Sequence, residues 1–266
     1  MRVGFHRLDW MQCVCSSVAV RVFALAFFPL FSLHTMAGIL NNGKFSKDDL
    51  IVGQFTLGME YLEGQGIPLD YKKAFKHFSE SAKHGHPLAQ YQLGLMYTKG
   101  KGCPLDQSAA FQWFHQSAEQ GVADAQYNLG LMYDNGRGTT QDFAEAFQWY
   151  QKSAEQGNSQ AQNNLGMIYH HGKGIPRDFV KAIKWYQLSA RQDNASAQNN
   201  IGVIYAFGSG VTQDLVTAYA WCLLAKTNGN QNDTFMKFLE RKISTPQIVQ
   251  AQTLSFQISA EIFLDQ

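Results

Sequence analysis

Charge of one sign is missing from this chain. It carries 22 Lys and Arg against 21 Asp and Glu, a formal net charge of +1. So even a balance argues against a surface built for polyanions. No basic run interleaved with aromatics occurs either, so nucleic acid is not expected as a partner. Cysteine is scarce: four in 266 residues, and Cys13 and Cys15 stand before the first apolar run. The motifs of common chemistry are also lacking. There is no nucleophile elbow, zinc-protease helix, phosphate-cradling loop or dinucleotide fingerprint. The expectation is a protein without catalytic residues, cofactor or metal.

Long hydrophobic runs are absent as well. The longest, Val22 to Leu33, is too short to span a bilayer as a helix. Arg2, Arg7 and Arg21 precede or interrupt it, which fits a secretory signal peptide over residues 1–37. Thr35-Met36-Ala37 offers small residues for cleavage after Ala37. An exported protein, periplasmic or secreted, is the expectation. It is cytoplasmic or membrane-tethered if the leader stays. Residues 38–52 read as a polar linker, with Asn41-Asn42-Gly43 as loop and Ser46-Lys47-Asp48-Asp49 as a helix start.

What is abundant is repetition. Ala125-Gln126-Tyr127-Asn128-Leu129-Gly130-Leu131-Met132-Tyr133 leads through Gly136-Arg137-Gly138 into Asp142 and Ala146-Phe147-Gln148-Trp149-Tyr150. One period of about 36 residues back, Ala89, Leu93, Gly94, Tyr97, Gly100, Gly102, Asp106, Ala110 and Trp113 return. One period forward, Ala161, Leu165, Gly166, Tyr169, Gly172, Gly174, Asp178, Ala182 and Trp185 return. A fixed period in this range marks stacked supersecondary units.

Each unit reads as two helices. Ala125, Leu129, Met132 and Tyr133 fall at i, i+4, i+7 and i+8, one apolar stripe. Gly130 inside that helix costs roughly 0.5–1 kcal/mol against Ala, which close approach of a neighbouring helix would offset. Gly136 and Gly138 supply the turn, Asp142 the N-cap, and Gly157 a C′ stop. The units run 53–88, 89–124, 125–160, 161–196 and 197–232. The first departs from the pattern, with Gly53 for the leading Ala and His77 for Trp. In the fourth, Asp193-Asn194 stands where neighbours have Gly. Residues 233–266 supply two further helices, one starting at Thr245-Pro246, read as the C-terminal cap that hides the last unit's open face.

Ala-x-x-x-Leu-Gly-x-x-Tyr, the Gly-x-Gly turn, and Ala-x-x-Trp-Tyr/Phe followed by Ser-Ala resemble the Sel1-like repeat family, a variant of the tetratricopeptide repeat. The resemblance covers about residues 53–232. It implies an all-α fold: a right-handed α-solenoid of five helix-turn-helix repeats with a C-terminal helical cap. One branch of that family staples each repeat with a disulfide. This sequence lacks the paired cysteines, and Cys103 and Cys222 lie in the second and fifth units, too far apart in a solenoid for one bridge. Packing alone must hold it.

The resemblance also implies a non-catalytic adaptor or scaffold that binds a protein or peptide on its concave face. On the tetratricopeptide pattern, positions 124, 127, 128, 131 and 134 and their equivalents face the groove. They form ladders: Tyr91, Tyr127, Asn163, Asn199; Gln92, Asn128, Asn164, Asn200; Leu95, Leu131, Met167, Val203. Side-chain amides offer donors and acceptors suited to an extended peptide backbone, and Tyr91 and Tyr127 add apolar area. The same amides would equally serve as solvated surface or as hydrogen bonds between repeats. Trp113, Trp149, Trp185 and Trp221 recur at helical spacing and read as packing. Asp70, Asp106, Asp142, Asp178 and Asp214 read as N-caps rather than calcium ligands or acids. His84-x-His86 lacks a third ligand at metal spacing. Two other readings stay open. One is an envelope-associated protein that binds or acts on cell-wall or exopolysaccharide polymer. The other is a structural spacer whose convex face matters more than its groove.

Overall fold

The structure, a computed structural model, describes residues 46–264 apart from Gln65. The leader, the cleavage site after Ala37 and most of the linker lie outside the described residues. Those residues form twelve α-helices and no strand. The chain divides into two compact units, one up to Leu105 and one from Asp106 onward.

The first unit holds α1 (Lys47–Glu63), α2 (Tyr71–Lys83) and α3 (Pro87–Lys99). Ser46 caps α1 by a reciprocal pair of bonds with Asp49, which satisfies two amide donors that the helix cannot use itself. The core residues Ala74, Phe78, Ala82, Ala89, Leu93 and Met96 are buried. At the atypical first repeat, His77 stacks on Tyr61, with ring centroids 5.5 Å apart and planes at 4°. Its Nδ1 lies 2.7 Å from Gln54 Oε1, so the imidazole fills the Trp position with both packing and a hydrogen bond.

The second unit runs α4 (Gln107–Glu119), α5 (Ala123–Asn135), α6 (Phe143–Glu155), α7 (Ser159–His171), α8 (Phe179–Ala190), α9 (Ala195–Phe207), α10 (Leu215–Thr227), α11 (Asp233–Glu240) and α12 (Thr245–Leu264). Every second helix from α2 to α10 starts on the expected Asp: 70, 106, 142, 178 and 214 each accept backbone N–H groups with a carboxylate oxygen. Such a cap contributes about 1 kcal/mol. Asp193 takes φ 55° where other repeats place Gly. Asp is one of the few residues that tolerate this region.

Small residues set the helix spacing. Ala110, Ala125, Ala146, Ala161, Ala182, Ala197 and Ala218 are fully buried. Gly166 shows a close approach inside a helix: a Cβ there would meet Tyr186 ring carbons at 2.6 Å. The helical glycine is therefore the condition for the bulky ring at that position, as the sequence implied. In the turn, a Cβ on Gly138 would sit 2.1 Å from Gln107 O, so no other residue fits.

Two polar series bind the helices together. Ser153 Oγ donates to Ala123 O at 2.7 Å and Ser189 Oγ to Ser159 O at 2.7 Å, each within one hairpin. The buried Gln162 joins three helices. Its Nε2 donates to Ala154 O on α6 at 3.1 Å, and its Oε1 accepts from Gln192 Nε2, past the end of α8, at 2.9 Å. Gln126 and Gln198 repeat the arrangement. At the far end, Met236, Leu239, Ile243 and Ala251 of α11, α12 and their link form one buried cluster with Ala218, Tyr219 and Cys222 of α10. Neither Cys103 nor Cys222 takes part in a disulfide, and burial pushes the Cys222 thiol up to about 12. Among the described residues, no helix is long and apolar enough to cross a membrane.

Candidate functional site

The three predicted ladders fall on the first helices of the hairpins. In the first unit, Tyr91, Gln92 and Leu95 lie half-buried on α3. In the second unit, α5 carries Tyr127, Asn128 and Leu131, α7 carries Asn163, Asn164 and Met167, and α9 carries Asn199, Asn200 and Val203. All of these are half-buried except Asn163, which is buried, and Met167, which is 37% exposed.

Part of the amide valence is already used. Asn200 Nδ2 donates to Asn163 Oδ1 at 3.0 Å, joining α9 to α7. Asn232 Nδ2 donates to Asn199 Oδ1 at 3.2 Å, joining the start of α11 to α9. Asn128 Nδ2 turns back to Asp124 O one turn earlier at 2.7 Å. Each amide has two N–H donors and a carbonyl oxygen with two lone pairs. One bond therefore fixes the side chain without using all of its donors and acceptors. The ladder is both an inter-repeat link and a row of oriented polar groups.

Beneath it lies a phenol. Tyr150 is fully buried, its ring 6.0 Å from Tyr127 and against Gly130. Its hydroxyl completes no hydrogen bond. Burial first, then the Asp134 carboxylate, push its ionisation far up; the Asn164 amide is near enough to oppose this. Asp134, at the last turn of α5, is ion-paired with Lys173 in the following Gly-Lys-Gly turn. Lys173 Nζ also lies 4.3 Å over the Phe143 ring. One repeat on from Asp134, His170 stacks on His171 at 4.8 Å and meets Phe179 and Tyr186 edge-on. Burial, then His171 and Arg177, lower its pKa and favour the neutral ring. Sequence reasoning placed position 134 on this face but missed Lys173. The available signal was a cation between two turn glycines, present also as Lys101 and Arg137.

The remaining candidates have structural places. Trp149 is buried, Trp185 packs on the core shared by α6 and α7, and Trp221 on the core shared by α8 and α9. His86 Nδ1 accepts from Ala89 N–H at 3.2 Å as the cap of α3. Two His–Glu pairs, His84–Glu80 and His115–Glu119, lie i,i+4 on helix surfaces rather than in a cleft. A cleft of about 420 Å³ between α10 and α12, with Leu223, Lys226, Gln252 and Phe256 in its walls, holds no His, Cys or carboxylate. Among the described residues, no cluster of three His, Cys, Asp or Glu is placed to hold a metal.

Comparison with known proteins identifies the pattern. The Sel1 repeat matches five successive segments, residues 51–86, 87–122, 123–158, 159–194 and 195–230. The crystal structure of a Sel1 repeat protein from Oxalobacter formigenes is similar, with 31% identity and a TM-score of 0.67 over 84% of this chain and 99% of that one. A protective antigen of uropathogenic Escherichia coli that displays an SLR fold is also similar, with 29% identity and a TM-score of 0.69 over 84% of this chain. The chain spans about half the length of that antigen, 52%. Comparison with curated proteins gave no match.

Proposed function

Because the chain belongs to the Sel1 repeat family, whose members are generally non-catalytic protein-interaction scaffolds, we propose that it binds a protein or peptide partner along the amide ladder of its first helices. The observation that carries this reading is the row of amides Asn163, Asn164, Asn199 and Asn200, three of them held by bonds to neighbouring helices, bordered by the apolar row Leu131, Met167 and Val203. Oriented amides match the alternating N–H and C=O of an extended backbone. The apolar row supplies area for its side chains. A standard interface needs roughly 800 Å² per partner, an area that a face several helices wide provides. Asn128, Asn163, Asn199 and Asn200 are held in place before a ligand arrives, which lowers the ordering cost of binding.

The basic-then-apolar segment from Arg2 to Leu33 supports an exported scaffold, acting in the envelope or outside the cell. Cell fractionation of the untagged protein tests the location; recovery with the cytoplasmic fraction refutes it.

The partner reading is tested by affinity capture from native extract with full-length chain and with the Asn128→Ala plus Asn164→Ala variant. The expected outcome is a stoichiometric protein lost from the variant at unchanged helicity. Equal capture by both forms removes the ladder from the account.

A further inference from the structure

The ladder does not end in solvent. On α9, Asn199, Val203 and Phe207 follow at i, i+4 and i+8, so the third lies on the same stripe as the first two. Earlier first helices hold Asn135 and His171 at the place of Phe207. Here a phenylalanine stands 61% exposed. Its ring runs near-parallel to Phe235, with centroids at 6.3 Å and planes at 25°, and to Phe238, at 6.4 Å and 21°. Phe235 and Phe238 lie 6.0 Å apart at 13°, and Phe238 is itself 39% exposed. The Asn232–Asn199 bond fixes the start of α11, and with it these rings, to the ladder. Three near-parallel rings therefore form one accessible aromatic surface where the amide row stops.

Its rim is cationic. Lys242 Nζ lies 5.4 Å from the Phe238 centroid. Arg241 and Lys242 are exposed, and neither takes part in an ion pair among the described residues. The carboxylates of α11 are already engaged: Asp233 with Lys226 at 2.8 Å, and Glu240 as acceptor of the Tyr219 hydroxyl at 2.7 Å. Aromatic area at the centre with cations outside any ion pair at its edge is complementary to an aromatic side chain flanked by carboxylates. The ring stacks in offset fashion on Phe207 and Phe238, and the carboxylates meet Lys242 and Arg241.

We propose that this end of the ladder anchors the partner by an acidic–aromatic segment: one aromatic side chain on the Phe207–Phe235–Phe238 surface with neighbouring Asp or Glu on Arg241 and Lys242. This rests on the ladder being the binding face. It adds the chemistry of the partner and the direction of its register, with the anchor at α9–α11 and the backbone running back over α7 and α5.

The test is fluorescence anisotropy with full-length chain and three labelled peptides in a Gly/Ser background, centred on Phe-Glu-Glu, Phe-Lys-Lys or Ala-Glu-Glu. The Phe-Glu-Glu peptide binds saturably, about tenfold or more tighter than either other peptide. Phe207→Ser plus Phe238→Ser, both at exposed positions, weakens it about tenfold at unchanged helicity. Arg241→Glu plus Lys242→Glu reverses the preference towards Phe-Lys-Lys, and raising salt weakens Phe-Glu-Glu in the native chain. Equal affinities, no saturable binding, or unchanged Phe-Glu-Glu binding in the double Phe variant overturns the proposal. A captured natural partner separates the two readings. If it is lost with Asn128→Ala plus Asn164→Ala but retained by the double Phe variant, the anchor falls and the ladder stands. If it is indifferent to both, both fall.

Discussion

Gly166 and Tyr186 occupy one space: a Cβ on the glycine would lie 2.6 Å from the tyrosine ring. Gly58 with Phe78 and Gly130 with Tyr150 repeat the relationship. Gly166→Ala therefore sets two effects against each other. Alanine gains about 1 kcal/mol in helix propensity, while overpacking a closed core costs roughly 1–3 kcal/mol. Urea unfolding should show a net loss of stability for Gly166→Ala. A gain would mean that the ring moves aside freely and that the glycine does not set the spacing.

The buried glutamines make a second prediction. Gln162 is buried and bonds to both α6 and the end of α8, whereas its partner Gln192 is exposed. Gln162→Ala leaves a cavity and removes the side-chain bonds to the Ala154 carbonyl, which still accepts from Gly157 N–H, and to Gln192, a loss of roughly 2–4 kcal/mol. Gln192→Ala removes two bonds from an exposed side chain, to Gly157 O and to Gln162 Oε1, and creates no core cavity, a loss of roughly 1–2 kcal/mol. Denaturation midpoints in that order support the tie; equal midpoints contradict it.

Tyr150 should behave in the opposite way. Its hydroxyl is buried and completes no hydrogen bond, and the first two repeats carry Phe78 and Phe114 at the same place. Burying an unmatched hydroxyl is unfavourable. Tyr150→Phe is expected to leave stability within about 0.5 kcal/mol or raise it. A loss of more than about 1 kcal/mol would show that the hydroxyl holds the Asn164 amide in place.

Acid sensitivity follows from the caps. The Lys181 N–H, the Lys181 ammonium and the Val180 N–H hold the Asp178 carboxyl below its usual range against an opposing burial effect; the Lys73 N–H leads the same set for Asp70. A carboxyl lowered in the folded state adds stability that is complete above the unfolded value of about 3.9 and is lost as pH falls through the folded value. The caps' share of stability should be level down to about pH 4 and fall below it, following an earlier loss that begins near about pH 6.5 because burial favours the neutral rings of His77, His86 and His170. Asp70→Asn plus Asp178→Asn keeps neutral caps and should flatten that fall in urea titrations from about pH 5 to pH 2.5. An unchanged slope would assign the acid response to other carboxylates.

Much of this was legible in the chain because repeats print their packing as a period. Leu-Gly in the first helix, Ala-x-x-Trp in the second and Asp at each junction gave the hairpins, their caps and their close contacts. The left-handed Asp193 was visible as a substitute for glycine. The buried Gln126, Gln162 and Gln198 were not visible, because a glutamine on a helix looks the same whether it meets water or a carbonyl of the next helix. The Asp134–Lys173 pair joins consecutive repeats and belongs to no local motif. The Asn ladder was legible as a row, but not its division between links and free valence, which depends on rotamers. Phe207 stood out only once α11 was seen to bring Phe235 and Phe238 beside it.

The central claim is that the ladder of first helices is the face that meets the partner. A photo-crosslinking residue at Met167, 37% exposed on α7, tests it against the same residue at Lys184, exposed on α8. The account predicts that the partner crosslinks from position 167 and not from position 184. Crosslinking from 184 alone would contradict it and move the binding face to the second helices.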